Sequence, residues 1–301
     1  MRCLRARVLV TGGTGFVGGV ICQRLKLLGY EVWGTCRTPP CSLYANNIFW
    51  IRPEDVLRPE FSGFFDFVVH SAAHSPASIV TPKSADGGME LLRSNIGLLS
   101  DTLAYLKNSR VRRFIFLSSV SVYDDRAPSV VDEITPTECS TPYGLSKLLG
   151  ENLIRDFCPV PYTILRLPGI LGPNAQPVWL VKCIRSAILG QKIVAYNKGR
   201  LFNNALWALD LANFCDTLFR SHDAGSDLFL LGLDSEILVE DIFIKISCLL
   251  EKSLDLEWRN ESSGFLLNIS KGIRAGFTST SIDEVLGAQI SYEKLRLEAP
   301  L

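Results

Sequence analysis

The chain has 301 residues, of which 47% are hydrophobic and 21% charged, and its formal net charge is +0. A chain of this length can bury a large core, which suits one large domain or two closely joined ones. Its neutral balance argues against binding to nucleic acid or to an anionic membrane. The first apolar stretch is too short for a signal peptide or a membrane span, and the nine scattered cysteines suit a reducing compartment. We therefore expect a cytosolic globular protein and leave small-molecule ligands open.

The first half of the chain alternates short apolar runs, rich in β-branched residues, with longer segments of helical periodicity. The candidate strands are Arg7–Thr11, Glu31–Thr35, Ile48–Ile51, Phe65–His70, Phe114–Ser118 and Tyr162–Leu167. The candidate helices are Gly15–Leu28, Gly88–Asn108 and Pro142–Phe157. This alternation predicts an α/β fold with a doubly wound parallel sheet of the Rossmann type, covered by helices on both faces.

A glycine-rich turn follows the first predicted strand, where Gly12, Gly15 and Gly18 are spaced as G-x-x-G-x-x-G before a helix. Gly12 allows a tight turn, Gly15 lets a pyrophosphate approach the backbone, and Gly18 permits close contact between helix and strand. The amino terminus of the helix supplies free N–H groups and a positive dipole for phosphates. Because the motif lies in the first strand-turn-helix unit of an alternating chain, it predicts a dinucleotide site.

The end of the second predicted strand bears on the choice of dinucleotide. An acidic residue there would accept hydrogen bonds from a ribose 2′-hydroxyl and would repel a 2′-phosphate. Cys36 occupies that position and Arg37 follows it, and a guanidinium can pair with a phosphate through two hydrogen bonds. The sequence therefore favours NADP and leaves NAD open. Asp55, beside Val56 just beyond the third strand, is placed to accept a hydrogen bond from the adenine amino group.

Tyr143 and Lys147 form a Y-x-x-x-K pattern in the third predicted helix, and their spacing puts both side chains on one face. An ammonium about 4 Å from the phenol contributes roughly 4 kcal/mol at an effective dielectric of 20, which would lower the phenol pKa by about three units. Tyr143 is thereby predicted to exchange protons near neutral pH. Ser119 lies at the carboxyl end of a central strand, where doubly wound sheets bind ligands, and is placed to orient a carbonyl or an alcohol.

The composition of the sequence changes after Pro168. Glycine and proline cluster there before a segment of helical periodicity over Val178–Leu189. We place a dinucleotide-binding domain over residues 1–168 and a smaller, mainly substrate-binding lobe over residues 169–301. Within the lobe, residues 204–232 are expected to return to the main sheet. Residues 235–250 and 281–286 are expected to be helices.

Several segments carry a family resemblance. They are Thr11–Gly18, His70–Ala73, Leu117–Tyr123 and Tyr143–Lys147, with further similarity at Leu165–Pro173 and Phe202–Ala212. In order and spacing, over most of the chain, they resemble the extended short-chain dehydrogenase/reductases, the NAD-dependent epimerase/dehydratase family.

The resemblance implies a role for each matched residue. Tyr143 would be the acid-base residue, Lys147 would hold the nicotinamide ribose and tune Tyr143, and Ser119 would polarise the substrate. Asn95 would position the backbone of the active-site helix. The expected cofactor contacts are Gly12, Thr14, Gly15, Phe16, Val17, Gly18, Arg37, Asp55, Val56, Ser71, Ala72, Ala73, Tyr143, Lys147 and Pro168. The expected substrate contacts are His74, Ser119, Gly169 and Asn204.

The resemblance also implies a homodimer, built through the helices predicted at Gly88–Asn108 and Pro142–Phe157. No metal site is expected. His70 and His74 have an i, i+4 spacing, but they lie at a strand end, where that spacing does not bring two side chains onto one face.

The residues after Ser119 narrow the reaction. Dehydratases and decarboxylases of this type use an acidic residue there, whereas this chain has Val120 and Ser121. Reductase and epimerase chemistry remain, since both exchange hydride with a bound cofactor. The residue at position 36 favours an NADPH-dependent reductase of a keto-sugar nucleotide or related carbonyl compound, ahead of a sugar-nucleotide 4-epimerase with bound NAD. The alternative of another class is a non-catalytic, dinucleotide-binding regulatory protein.

Overall fold

The computed structural model describes residues 5–38, 48–75, 85–124, 126–222, 225–235, 237–259 and 264–298. The strands in these ranges are β1 (Arg7–Thr11), β2 (Glu31–Thr35), β3 (Phe49–Ile51), β4 (Phe67–His70), β5 (Arg113–Ser119), β6 (Val130–Val131), β7 (Tyr162–Leu167), β8 (Gly169–Leu171), β9 (Ile193–Tyr196), β10 (Leu201–Phe202), β11 (Ala205–Trp207), β12 (Asp227–Leu230), β13 (Ile237–Leu238), β14 (Leu256–Arg259) and β15 (Leu266–Leu267). The helices are α1 (Phe16–Leu27), α2 (Ala85–Lys107), α3 (Pro142–Phe157), α4 (Trp179–Ile188), α5 (Ala208–Arg220), α6 (Val239–Leu250), α7 (Ser270–Arg274) and α8 (Ile282–Glu298).

Seven of the described strands form one parallel sheet in the order β12-β7-β5-β4-β1-β2-β3. Its central strands are buried, and every residue of β5 is inaccessible or nearly so, as expected when helices cover both faces. The chain order reverses at β1, which pairs with β2 on one side and with β4 on the other. Doubly wound sheets bind ligands at the carboxyl edge beside such a reversal. The predicted Rossmann-type sheet is confirmed.

The predicted bounds agree with the structure for β1, β2, β7 and α3. The largest difference is at α8, where the helix predicted over residues 281–286 continues to Glu298. Gln289 and Glu293 on the extension are buried, at 0% and 2% exposure. Gln289 Oε1 accepts a hydrogen bond from the N–H of Gly172 at 2.8 Å, and Glu293 pairs with Arg185. Polar residues therefore occupy part of the buried face of α8. For this reason the spacing of apolar residues did not predict the second half of the helix.

The chain after Pro168 builds short two-stranded ladders and a second hydrophobic core between α4, α6 and α8. Residues 237–238, predicted as helix, form β13, which pairs antiparallel with β10. Residues 204–232 are shared between both regions. β11 pairs with β8, α5 lies against α1 through a hydrogen bond from Arg24 Nε to Asn213 Oδ1 at 2.7 Å, and β12 joins the main sheet beside β7.

The cysteines in the described ranges are free thiols, while Cys3 and Cys41 lie outside those ranges. Burial raises the pKa of the Cys22 and Cys215 thiols to about 12, as expected of packing residues. Across the part of the chain that the structure describes, no trio of His, Cys, Asp or Glu side chains is grouped as metal ligands. No described helix is both long and apolar enough to cross a membrane.

Candidate active site

A cavity of about 750 Å³ lies at the carboxyl ends of β1, β4 and β5, beside the reversal point of the sheet. The glycine turn forms part of its wall, and α3 contributes two side chains. The predicted residues that line it are Gly12, Thr14, Gly15, Phe16, Val17, Gly18, Arg37, Ser71, Ala72, Ala73, His74, Ser119, Tyr143, Lys147, Pro168 and Gly169. Lining residues that the sequence did not single out include Thr35, Ser94, Leu98 and Gln176.

The glycine turn has no room for side chains at Gly12 and Gly18. Gly12 has a φ of +68°, and a Cβ there would lie 2.8 Å from Cα of Ala72. A Cβ on Gly18 would lie 2.3 Å from the carbonyl oxygen of Gly12. The N–H of Gly15 donates to that carbonyl at 2.9 Å, just before α1 begins at Phe16. A cap without a side chain leaves the first helical N–H groups available, so the turn fits the pyrophosphate of a dinucleotide.

Threonine hydroxyls hold this turn from the neighbouring strands. Thr35 Oγ1 accepts a hydrogen bond from the N–H of Gly12 at 2.9 Å. Thr11 Oγ1 accepts one from the N–H of Ala72 at 3.2 Å, which ties the end of β1 to the loop after β4. A threonine in a strand carries no sequence signal of such a role, and Thr35 was predicted only as part of β2.

His70 lies behind the cavity as a buried, neutral imidazole. Its Nδ1 is 3.1 Å from Thr11 Oγ1 and 2.9 Å from Thr102 Oγ1. Burial lowers the pKa of His70 to about 3, and the nearby charge of Lys147 acts in the same direction. The imidazole therefore links β1, β4 and α2 without carrying charge at neutral pH.

The first turn of α3 is anchored on the loop after β5. Thr141 is the N-cap, and its Oγ1 accepts a hydrogen bond from the N–H of Gly144 at 3.1 Å, while Pro142 occupies the first turn. A Cβ on Gly144 would lie 2.1 Å from the carbonyl oxygen of Ser121. Only glycine permits this approach, which sets the position of Tyr143 relative to β5.

Ser119 and Tyr143 meet in the wall of the cavity. Burial raises the pKa of the Tyr143 phenol, and a side-chain hydrogen bond with Ser119 acts against that rise. Ser119 Oγ also accepts a hydrogen bond from the N–H of Ser121 and donates to Ser121 Oγ, both at 3.1 Å. Ser121 thus restrains the hydroxyl that contacts the phenol, a role that the sequence analysis missed.

Lys147 lies one turn along α3 from Tyr143, with its Nζ 5.9 Å from the centre of the Tyr143 ring. The ammonium donates to the carbonyl oxygen of Leu117 at 2.8 Å. Burial lowers the pKa of Lys147 to about 8, and the negative charge of Glu151 acts against the fall. The prediction that Lys147 lowers the Tyr143 pKa by about three units is therefore wrong for this structure, since desolvation of the phenol dominates.

Asn95 connects three elements around the site. Its Oδ1 accepts a hydrogen bond from the N–H of His74 at 2.7 Å, and its Nδ2 donates to the His74 carbonyl at 3.1 Å and to Ser146 Oγ at 3.0 Å. Ser146 in turn donates to the carbonyl of Tyr143 at 2.7 Å. The amide therefore joins α2, the loop after β4 and the active-site helix.

The residues predicted near the adenosine half have separate positions. Cys36 is buried, whereas Arg37 is exposed at the mouth of the cavity. Val56 lines a smaller adjoining cavity, which shares Thr35 with the first. Asp55 lines neither, and its carboxylate pairs with Arg58 at 2.7 Å. The adenine contact expected of Asp55 stays a prediction.

A second cavity, of about 790 Å³, adjoins the first and shares Gly169 and Val178 with it. Asn204 lies in the wall of this second cavity rather than the first, and its amide donates to the carbonyl of Phe265. The aromatic rings of Trp179 and Phe202, 5.4 Å apart, form another part of the wall. Tyr196, Asn197 and Arg200 also line it.

The charges around both cavities favour anionic ligands. Among the described residues that line them there is no Asp or Glu, whereas Arg37 and Lys147 line the first and Arg200 the second. Lys147 is buried, whereas Arg37 and Arg200 are exposed, and an arginine can pair with a phosphate through two hydrogen bonds. The site combines a glycine turn that fits a pyrophosphate, the neighbouring hydroxyls of Ser119 and Tyr143, and the buried ammonium of Lys147.

Comparisons with known proteins agree with this description. The family model for the NAD dependent epimerase/dehydratase family matches residues 8–232. A UDP-glucose 4-epimerase of Streptomyces lividans is 32% identical over 164 residues, which are 50% of this chain and 47% of that protein. The chain spans about half the length of the curated relatives it matches.

Solved structures share the fold over nearly the whole chain. The UDP-glucuronic acid 4-epimerase from Bacillus cereus, in complex with UDP-glucuronic acid and NAD, gives a TM-score of 0.79 at 23% identity, covering 96% of this chain and 99% of that one. The UDP-glucose 4-epimerase from Thermotoga maritima with UDP-glucose gives 0.78 at 20% identity, covering 97% and 100%. At these identities the structures establish the fold alone, but the family model extends over most of the sequence. The chain belongs to the NAD-dependent epimerase/dehydratase family of enzymes.

Proposed function

We propose that this protein is a sugar-nucleotide 4-epimerase that keeps NAD bound through turnover. The observation that carries the proposal is the position of Ser119, Tyr143 and Lys147 in one cavity wall with the glycine turn. Similar proteins are named as 4-epimerases of UDP-sugars, and the Bacillus cereus enzyme is named with NAD. This reverses the order reached from the sequence, in which an NADPH-dependent reductase came first.

The residues of the chain supply the binding and the proton chemistry. The turn Gly12–Gly18 would hold the pyrophosphate, and a bound dinucleotide would supply a hydride acceptor that later returns the hydride. Ser119 Oγ would orient the hydroxyl at the reacting sugar carbon. Tyr143 Oη would take the proton of that hydroxyl as the carbonyl forms, for which the phenol must first be ionised. Burial opposes this ionisation, and the positive charge of a bound oxidised nicotinamide would favour it. When the carbonyl is reduced again from its opposite face, Tyr143 would give the proton back. Protons and electrons balance within one turnover.

The second cavity gives the nucleotide part of the substrate a separate binding place. Trp179 and Phe202 offer apolar ring surfaces for a base, and Arg200 offers a guanidinium for a phosphate. Anchoring the nucleotide there would leave the sugar in the first cavity, beyond Gly169. A substrate held by its nucleotide can present either sugar face to the reacting groups, which epimerisation requires.

Two observations bear on other reactions. Val120 and Ser121 line the first cavity where an eliminating enzyme of this type would use a carboxylate, so dehydration is disfavoured. Arg37 lines the same cavity and would tolerate a 2′-phosphate, which keeps an NADPH-dependent reductase as the second candidate.

Cofactor identity and turnover together separate the candidates. Purified protein is denatured, the released dinucleotide is identified by mass spectrometry, and native protein is incubated with UDP-hexoses without added cofactor while proton NMR follows the configuration at C4. We expect retained NAD and interconversion of C4 epimers. Released NADP with substrate-dependent oxidation of NADPH would establish the reductase instead. Retained NAD without turnover of any sugar nucleotide would favour a regulatory protein.

Arg37 provides a sharper test of the cofactor. Replacing Arg37 with glutamate is expected to leave NAD binding unchanged or stronger, because a carboxylate accepts hydrogen bonds from the ribose 2′-hydroxyl. Residual NADP binding should fall at least about tenfold, the loss of one charged phosphate contact. Isothermal titration with each dinucleotide measures both. An equal loss of both affinities would show that Arg37 does not face the 2′ position.

Lys147 makes activity dependent on pH. Its pKa is lowered to about 8, so the ammonium is present below that value and is lost as the pH rises through it. We expect kcat to decline above about pH 8 for that reason. In Lys147→Arg the guanidinium keeps its charge, so whatever activity remains should lose this alkaline decline. An alkaline limb that stays in place in the arginine variant would assign it to another group.

The homodimer implied by the family resemblance stays a prediction. The outer faces of α2 and α3 expose apolar side chains that such an interface would cover, among them Met89, Leu145 and Leu149 at 50%, 46% and 40% exposure.

A further inference from the structure

The active-site helix α3 also carries Glu151, a carboxylate with 0% exposure that lies outside the cavity lining. Arg166 donates to both of its oxygens, from Nε at 3.0 Å and from Nη2 at 2.7 Å. Ser118 Oγ donates to Oε1 at 2.6 Å, and Arg155 donates to Oε2 at 2.9 Å from the surface. The three bonds from the buried Arg166 and Ser118 fix the orientation of this carboxylate, and the fourth comes from the half-exposed Arg155.

Two of these connections lead to the reacting groups. Ser118 immediately precedes Ser119 at the end of β5, so the bond to Glu151 ties that strand end to α3. Glu151 follows Lys147 by four residues on α3, which puts both on one face of the helix. The Glu151 carboxylate is therefore connected to Ser119 through Ser118 and the backbone of β5. It acts on Lys147 through its negative charge.

The charge of Glu151 is important because the other described groups around Lys147 carry no negative charge. The Phe116 ring lies 5.1 Å from Nζ, the Leu117 carbonyl accepts from it at 2.8 Å, and His70 is neutral. The groups that face Lys147 from β4, β5 and α3 are His70, Phe116, Leu117, Tyr143 and Glu151. In this described set the negative charge is that of Glu151, and it acts against the lowering of the Lys147 pKa by burial.

We propose that Glu151, held by Arg166 and Ser118, is a positioning residue that keeps Lys147 charged and fixes the strand end carrying Ser119. The inference rests on the proposed function for its kinetic consequence but concerns the chain's own side chains. Arg155 contacts the same carboxylate from a half-exposed position. We assign it no part in positioning Lys147 or Ser119.

The direct test follows the titration of Lys147 by NMR of protein labelled with ¹³C-lysine, its signal assigned by its loss in Lys147→Arg. The wild-type midpoint is expected at about 8. In Glu151→Gln it should fall by at least about one pH unit, because an opposite charge is removed. The alkaline limb of kcat should move by the same amount, with KM changing less than kcat. Glu151→Asp, which keeps the charge on a shorter arm, should lie between the two.

Arg155→Met is the matched control, because it removes a surface partner of the same carboxylate; its Lys147 midpoint and pH profile should equal the wild type. If Glu151→Gln does not fold, a folded Glu151→Asp with a wild-type midpoint and kcat would overturn the proposal. An unchanged midpoint in Glu151→Gln would do the same, even if the wild type epimerises. Since this titration needs no substrate, a wild type that turns over no sugar nucleotide would defeat the proposed function alone.

Discussion

Replacing Tyr143 with phenylalanine is expected to lower kcat by about 10²- to 10⁴-fold, the usual contribution of a positioned acid-base group. The change removes the phenol oxygen that contacts Ser119 and leaves the ring that packs in the cavity wall. We expect the melting temperature and the content of bound dinucleotide to stay close to wild type. Steady-state kinetics, thermal unfolding and cofactor analysis of the same preparation measure all three.

Tyr30→Phe is the matched control, because Tyr30 is also buried and its hydroxyl donates to Asp216 Oδ1 at 2.7 Å, away from the cavity. Losing that bond should cost about 1 kcal/mol of stability and leave kcat unchanged. If Tyr143→Phe retained wild-type kcat, proton transfer would have to be assigned to another group and the mechanism would fail.

Replacing Gly18 with alanine is expected to abolish retention of the dinucleotide. The new Cβ would lie 2.3 Å from the carbonyl oxygen of Gly12 and 3.2 Å from Cα of Gly13. These are backbone atoms of the turn, so either the turn or α1 must move, and the phosphate cradle is lost with it. Such overpacking costs roughly 1–3 kcal/mol of stability. Dinucleotide content per chain and the free energy of unfolding are the measurements.

The neighbouring glycine provides the control. A Cβ on Gly19 would lie 3.4 Å from the carbonyl oxygen of Gly13, an ordinary contact. Gly19→Ala has the same gain in helix propensity, up to about 1 kcal/mol, without the collision. It should retain the dinucleotide and unfold no more easily than wild type. Equal retention in both variants would mean that α1 does not approach the turn as closely as described.

Much of the main sheet could be predicted because its signals are local. The strands at β1, β2 and β7 are apolar runs, and the helix at α3 begins with its own cap and proline, so their bounds follow from neighbouring residues. The full length of helix α8 could not be predicted, although its first turns were. Its buried residues Gln289 and Glu293 pair with Gly172 and Arg185, which are far away in the sequence. A local sequence pattern does not show that these two polar residues are buried.

In the candidate site, too, the features with local sequence signals could be predicted and those that depend on the folded structure could not. The glycine spacing and the spacing of Tyr143 and Lys147 are local, whereas the hydroxyl of Thr35 meets Gly12 only after β1 and β2 pair. The direction of the Tyr143 pKa could not be predicted from spacing, because it depends on how completely the fold removes the phenol from water. Desolvation is a property of the packed structure rather than of the motif.

The most direct test of the central claim uses a UDP-hexose labelled with deuterium at C4 of the sugar, incubated with purified protein and no added dinucleotide. If hydride leaves that carbon, is held by bound NAD and returns to the opposite face, the epimeric product keeps its deuterium at C4 and no cofactor is consumed. Product that has exchanged its C4 deuterium for solvent hydrogen, or label that accumulates in free NADPH, would contradict the account.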